Sequence, residues 1–362
     1  MKIVFVVNCI SGGASNVIQM LATQYQRLGN QVDLLLYDGI DVPSRYDLSG
    51  INIIELPQLM PKGVMKSYKR IFYQINSVNT YLKKARPDLI ISFLDNINTI
   101  TCFASWNLNI PIIVSERNNT LALKPAFPWN NLRRIAYKRA NMVVVQCSIF
   151  ADFYNGYFKN KTHVIPNPIV NPKIKRVAQN RSGIHLVAAG RLADQKNFNW
   201  LINSFARIIK RIPEAFLTIY GRGEKENELQ SLIDELGLSQ YVTLAGYTTD
   251  VHDKLAQADI YVMTSVQEGF PNSLCEAMAV GLPVVALNCH DGLQEIVIDG
   301  QNGYLIEMND QEAFVDKIIE LSQDKELRTK IGKQAELVTQ KYSEEKVIDL
   351  WNEAINKVLK VR

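Results

Sequence analysis

The stretch EGFPNSLCEAMAVGLPVVA (268–286) places two carboxylates, Glu268 and Glu276, on either side of a turn that follows the strand-like run DIYVMTS (259–265). Carboxylates repel phosphate, so this pair suits hydrogen bonds from sugar hydroxyls. The free N–H groups of a helix capped by Asn272 or Ser273 suit phosphate oxygens. A second group, GRLADQKNF (190–198), follows the strand-like run HLVAA (185–189). Its Arg191 is a rigid fork matched to diphosphate oxygens, and its Lys196 is a mobile point charge at the start of the next helix. Together they could neutralise a departing diphosphate. Gly190, YGRGE (220–224) with Gly221, and LAGY (244–247) with Gly246 and Tyr247 all close strand ends, where glycine permits a tight turn or the close approach of a flat ring. Each group also has a plainer reading as a solvated pair, a simple turn or a Glu favoured in a helix's first turn. Their recurrence along one edge of one domain favours the chemical reading.

In the first half, NCISGGAS (8–15) joins a strand to a helix, and Gly12 and Gly13 could let a phosphate-bearing substrate approach that helix start. The G-x-G-x-x-G spacing of dinucleotide-binding folds is absent, although Asp38 ends the second strand. Neither a P-loop nor the kinase signatures occur, so a nucleoside triphosphatase has no support. His163, His185, His252 and His290 are too scattered to propose a metal site.

These residues need strands and helices to hold them. Short β-branched runs alternate with amphipathic stretches throughout, the pattern of parallel sheets flanked by helices, so the fold class is α/β. Strands are expected at 3–7, 32–36, 51–55, 89–93, 111–114, 142–146 and 163–165, with helices at 14–28 and 66–85. The segment VIPNPIVNPKIKRVAQNRSG (164–183) has three prolines and no apolar periodicity, and it reads as a linker. A second series follows: strands at 184–189, 215–220, 241–245, 260–264 and 283–287, helices at 197–211, 224–236 and 272–280, and three helix-like segments after Leu305. The expected domains are 1–170, 171–345, and a C-terminal helix over 346–362 that could cross back to the first.

At 362 residues, 47% hydrophobic and 21% charged, the chain has a globular balance and the length of two domains. No apolar run approaches the roughly 18 residues that span a bilayer, and the opening is too short in apolar residues for a signal peptide. A cytoplasmic protein is expected. Five cysteines without a CxxC pair suggest neither disulfides nor zinc. Charge is uneven: residues 1–170 hold 18 Lys and Arg against 9 Asp and Glu, and residues 171–362 hold 22 against 27. Within 66–85, Lys66, Lys69, Arg70, Lys83 and Lys84 accompany Tyr68, Phe72, Tyr73 and Tyr81. Basic heads with aromatic bodies suit an anionic lipid surface, and the charges would draw a polyprenyl diphosphate acceptor. The plainer reading is a solvated basic face. No nucleic-acid motif accompanies the charge.

Taken together, GRLADQKNF, LTIYGRGE, LAGYTTDV, EGFPNSLCEAMAVGLPVVA and EIVIDGQNGYLI, in this order, resemble the retaining nucleotide-sugar glycosyltransferases of glycosyltransferase family 4, and the SGGA loop extends the likeness to the first half. The resemblance implies the GT-B fold, with two Rossmann-like doubly wound domains facing a central cleft. It implies a catalytic set of Arg191, Lys196 and Glu268, with Arg191 and Lys196 holding the donor diphosphate in place of a metal ion, so that no cofactor is needed. Glu276 would take the ribose hydroxyls and Glu268 would face the transferred sugar. Gly190, Gly221, Gly246, Tyr247, Gly269, Phe270, Pro271, Asn272, Ser273 and Leu274 would complete the donor contacts. Gly12 and Gly13 would lie on the acceptor side with Lys66, Lys69 and Arg70.

Many family members carry a His after a middle strand of the first domain, where this chain reads PIIVSERNNT (111–120). Ser115, Glu116 and Arg117 would therefore occupy that edge on the acceptor side. SERNN itself resembles the same stretch in bacterial transferases that build surface or lipid-linked glycans from UDP-hexoses or UDP-N-acetylhexosamines. The expected activity is retaining transfer of a hexose or N-acetylhexosamine from a UDP-sugar to a glycan acceptor, in a protein peripheral to the inner face of the cytoplasmic membrane. A nonhydrolysing sugar epimerase or a non-catalytic nucleotide-sugar-binding subunit would share the scaffold. The first needs acid and base groups around a sugar ring that are not identifiable here, and the second would not need Arg191, Lys196, Glu268 and Glu276 together.

Overall fold

A computed structural model describes residues 1–9, 12–37, 46–56, 67–122, 129–158, 160–176 and 183–360. The chain forms two compact units, one of Met1–Asn167 with Glu345–Arg362 and one of Pro168–Glu344. The division thus falls slightly before the limits expected at 170 and 345.

In the first unit the strands are β1 (Lys2–Val7), β2 (Gln31–Leu36), β3 (Asn52–Glu55), β4 (Leu89–Phe93), β5 (Ile112–Ser115), β6 (Met142–Val145) and β7 (Thr162–Val164). Among the described residues they make one parallel sheet in the order β3-β2-β1-β4-β5-β6-β7. Strands covered on both faces need no polar side, which is why they read as unbroken apolar runs. Between them run α1 (Gly12–Arg27), α2 (Ser67–Ala85), α3 (Asp95–Ala104), α4 (Trp129–Ala136) and α5 (Ser148–Asn155). On α2, the Tyr81 hydroxyl donates to Asp33 at 2.6 Å, and Asp33, fully buried in β2, also meets Lys2 Nζ at 3.1 Å. A carboxylate can lie in a strand core only when so partnered.

The second unit contains β8 (Ile184–Ala189), β9 (Ala215–Tyr220), β10 (Val242–Gly246), β11 (Ile260–Met263), β12 (Val284–Leu287) and β13 (Tyr304–Ile306), parallel and in the order β10-β9-β8-β11-β12-β13. β13 was not expected from the sequence. Its helices are α6 (Phe198–Arg211), α7 (Glu226–Glu235), α8 (Val251–Ala256), α9 (Asn272–Ala279), α10 (Gln311–Gln323), α11 (Lys325–Ala335) and α12 (Val338–Lys341). The strand order reverses beside β8, as it does beside β1 in the first unit. Such switch points leave crevices at the carboxyl ends of the strands, where ligands bind in open α/β sheets.

The last helix, α13 (Glu344–Lys360), buries Val347, Trp351, Ala354, Ile355 and Val358, a stripe at helical spacing. That stripe packs into the core formed by Ile3, Phe5, Leu34, Ile91 and Phe93 of the first unit.

Candidate functional site

The carboxyl ends of β8, β9 and β10 form a glycine-lined ledge. Gly190 N donates to Tyr220 O at 2.9 Å, and Gly221 N donates to Gly246 O at 2.8 Å. Gly221 lies at φ +151°, and a Cβ there would stand 1.8 Å from the Gly190 carbonyl oxygen. A Cβ on Gly190 would stand 2.6 Å from Lys196 Cε, so the lysine stem lies flat across bare backbone. No residue with a side chain can replace either glycine without moving this contact.

Lys196 ends a single 3-10 turn (Asp194–Lys196), and Asn197 turns the chain in the left-handed conformation, at φ 54° and ψ 39°, before α6 begins. Beyond β11, Thr264 Oγ1 donates to Lys196 O at 3.0 Å, Val266 N donates to Gln195 O at 2.9 Å, and Gln195 Nε2 donates to Gln267 O at 2.8 Å. Two loops distant in sequence are thereby joined, and Lys196 Nζ meets Glu268 Oε1 at 2.7 Å with side chains only 15% and 7% exposed. Arg191 differs. Its side chain is 71% exposed, and its contact is Glu224 Oε1 at 2.9 Å, a surface pair that contributes little and can part readily.

α9 starts at Asn272 with Pro271 in the cap position and no side-chain cap. The expected capping by Asn272 or Ser273 does not occur: the Ser273 hydroxyl is inside the first turn, where it accepts from the Tyr261 hydroxyl at 2.8 Å. No acidic residue stands in that first turn, and although Asn272 N donates to Phe270 O at 2.9 Å, the positive end of the helix dipole remains open to an anion. Glu276, half-buried, lies on the same helix. Phe270 is buried edge-on against the Tyr342 ring, and Leu274 is fully buried. Their side chains serve packing, which leaves the backbone of the Gly269–Ser273 turn for ligand contact. Tyr247 is exposed.

Three contributors were not read from the sequence. Thr264 and Gln195 position Lys196, as above. Cys289, after β12, has its thiol pushed up to about 12 by burial and then by the Glu268 charge, so it stays neutral. Its position just past a strand end was the available signal.

In the first unit, Gly12 and Gly13 open α1 at the carboxyl end of β1. Glu116 and Arg117 follow β5 and are not open-edge residues: they are 2% and 6% exposed. The Tyr137 hydroxyl donates to Glu116 Oε1, while Oε2 has no hydrogen-bond partner. Burial, then the nearby Asp95 charge, pushes the Glu116 carboxyl up to about 7. Arg117 points to the other face and stacks on the rings of Phe93 and Trp351. Lys69 and Arg70 are exposed on α2, with Phe72 beside them at 74% exposure. Lys66 lies outside the described residues. Among the described residues no three His, Cys, Asp or Glu side chains gather as a metal site would require.

Residues 172–338 match the family described as "Glycosyl transferases group 1", and residues 11–170 match "Glycosyltransferase Family 4". The chain belongs to the glycosyltransferases. Among curated relatives, this glycosyltransferase is 34% identical over 200 residues to the poly(glycerol-phosphate) alpha-glucosyltransferase of Bacillus subtilis, covering 55% of this chain and 29% of that protein. It is 24% identical over 335 residues to a Campylobacter jejuni alpha-1,4-N-acetyl-D-galactosaminyltransferase named for an undecaprenol-linked acceptor, covering 91% of each chain. Anabaena HepE, solved with UDP and glucose, is 19% identical with a TM-score of 0.83, covering 98% of this chain and 99% of that one. That likeness shows the shared GT-B fold, two Rossmann-like α/β units.

Proposed function

We propose that this glycosyltransferase moves a hexose or N-acetylhexosamine from a UDP-sugar, with retention at the anomeric carbon, to a lipid-linked glycan in bacterial surface-glycan assembly. The observation that carries the reading is the Lys196–Glu268 pair, held at 2.7 Å over the Gly190 ledge and close in sequence to the uncapped start of α9. It provides a cation for the departing diphosphate and a carboxylate for sugar hydroxyls in one part-buried place, where electrostatics act strongly. Arg191 would leave Glu224 to join the diphosphate, since a surface pair costs little to break. Glu276 would accept from the ribose hydroxyls. The departing phosphate takes the proton of the attacking acceptor hydroxyl on the same face, so no protein nucleophile is used. Charge neutralisation falls to Arg191, Lys196 and the helix N–H groups, and no metal is invoked.

The names of the B. subtilis and C. jejuni relatives, with a glycerol-phosphate polymer and an undecaprenol-linked glycan as acceptors, support an anionic or lipid-linked acceptor. The exposed Lys69, Arg70, Lys83 and Lys84 of α2, with Phe72, support a contact with anionic lipid. No helix among the described residues is long and apolar enough to cross a membrane.

The test is nucleoside diphosphate release from UDP-, GDP- and ADP-sugars, with and without detergent-solubilised polyprenyl-diphosphate glycans and with EDTA present. Release from a UDP-sugar that rises with the lipid acceptor, survives EDTA, and falls roughly 100-fold or more in Lys196→Ala is the expected result. Near-normal turnover in that variant would sink the assignment.

A further inference from the structure

The amino ends of the first unit's strands carry a cavity that the transfer chemistry does not use. It measures about 670 Å³, and Trp106, Asn107, Asn109, Arg139, Asn141 and Val358 are among the residues that line it. That volume falls within the roughly 300–1,000 Å³ of small-ligand sites. Asn141 stands one residue before β6, and the loop that carries Trp106, Asn107 and Asn109 leads into β5. Ligand crevices at a switch point lie at the opposite, carboxyl ends of the strands. The four residues of β5 put about 13 Å of strand between the two edges. A molecule in this cavity is therefore not at the reacting centre.

The lining fits a sugar ring. Trp106 is 44% exposed, and its ring lies at 22° to that of Phe103 with centroids 6.0 Å apart. That contact fixes the plane of the indole and leaves flat apolar surface uncovered. The C–H groups on one face of a pyranose pack on such a surface, while its hydroxyls, each a donor and an acceptor, match Asn amides that are both as well. Asn141 Oδ1 accepts from Ile112 N at 2.9 Å, so its Nδ2 is the group left for a hydroxyl oxygen. Asn107 is exposed on the Trp106 loop. A nucleotide or other phosphate ester fits poorly. Among the described residues lining the cavity Arg139 alone is charged, and its Nε and Nη2 already donate to backbone carbonyls: Ser105 O at 3.0 Å, and Leu108 O and Ile110 O at 2.6 Å each. Those same bonds brace the 105–110 loop, so the cavity is formed before a ligand arrives.

We propose that this cavity is a second glycan-binding site, which stacks one neutral hexose or N-acetylhexosamine unit of the acceptor on Trp106, away from the end being extended. The proposal rests on the reading that the acceptor is a glycan, and its chemistry can be tested without turnover. A chain anchored here holds its growing end near the enzyme at raised effective concentration, which favours long acceptors over short ones.

The probes are maltotetraose and chitotetraose, titrated into the full-length protein and followed by ligand-observed saturation-transfer NMR. Saturable binding of at least one is expected, weakened about tenfold or more by Trp106→Ala, the scale of losing a stacked aromatic contact, and less by Trp106→Phe. Asn107→Ala, an exposed change that leaves the packing untouched, should also weaken it and serves if the Trp106 variants do not fold. No binding of either oligosaccharide at about 10 mM overturns the proposal, as does binding that is equal in wild type, Trp106→Ala and Asn107→Ala. Nucleoside diphosphate release is measured separately on the same proteins. Release that persists while oligosaccharide binding fails removes this site and leaves the transferase reading standing; Trp106-dependent binding without release does the reverse.

Discussion

At the scale of single residues, the Lys196–Glu268 pair has two roles that mutation can separate. With side chains 15% and 7% exposed, removing one partner strands the other as a part-buried charge. Lys196→Ala should therefore cost roughly 3 kcal/mol of stability, and adding Glu268→Gln should recover most of it without restoring turnover. Urea denaturation of the four proteins of the cycle checks this; additive losses would mean the pair is not coupled. Glu116 gives a different signature. Its carboxyl is pushed up from 4.5 to about 7, so the folded chain holds that proton more tightly than the unfolded chain. The stability this contributes is fully present below about pH 4.5 and is lost as pH rises to about 7. Asp95, Arg133, Tyr137 and Tyr154 all act on the group, with Asp95 favouring the proton and Arg133 opposing it. Comparing unfolding free energies at pH 5 and pH 8, the wild type should lose up to about 3 kcal/mol relative to Glu116→Gln. Parallel pH profiles would show that the carboxylate is ionised throughout.

At the scale of elements, α2 divides its duties by face. Val78 and Leu82 are buried, and Tyr81 is tied to Asp33, while Lys69, Arg70, Phe72, Lys83 and Lys84 are exposed. The exposed face can thus be altered without loosening the helix from its sheet. Lys69→Gln/Arg70→Gln should reduce binding to phosphatidylserine vesicles about tenfold or more, at roughly 1 kcal/mol per basic residue, with the thermal midpoint unchanged. Equal vesicle binding by the variant in a sedimentation assay would remove the membrane role of this face. Elements also show what was legible in the sequence. Parallel strands such as β8 and β11 declare themselves as apolar runs because both faces are covered, and the loops after them carry the chemistry that topology requires there. The ledge glycines were legible as turns, but their contact with the Lys196 stem was not, because it depends on how close the β8 and β9 ends lie. Glu116 and Arg117 misled for a related reason: SERNN is polar enough to read as exposed loop, and only the packing of α4, α5 and α13 buries its first members. The meeting of Lys196 with Glu268, 72 residues apart, is set by hydrogen bonds from Thr264, Val266 and Gln195 to backbone carbonyls across two loops, which no local pattern records.

At the scale of the whole molecule, the chain returns to its beginning: Trp351, fully buried, packs at a tilt with its ring centroid 5.9 Å from that of Phe93. Trp351→Ala should cost about 3–5 kcal/mol, and that loss should appear in the first unit alone. Hydrogen exchange resolved along the sequence is the check, with β1, β4 and β5 losing protection while β8 to β12 keep theirs; uniform loss would mean the two units unfold as one. The packing of α13 also sets an order of events during synthesis. Residues 168–344 hold every strand of their own sheet and can close as soon as they leave the ribosome. The unit begun first closes after the second has been made, since its core lacks Trp351 and Ile355 until α13 emerges. For that interval its apolar sheet face is open to the cell, and any pause in translation between the β7 and α13 codons lengthens the exposure.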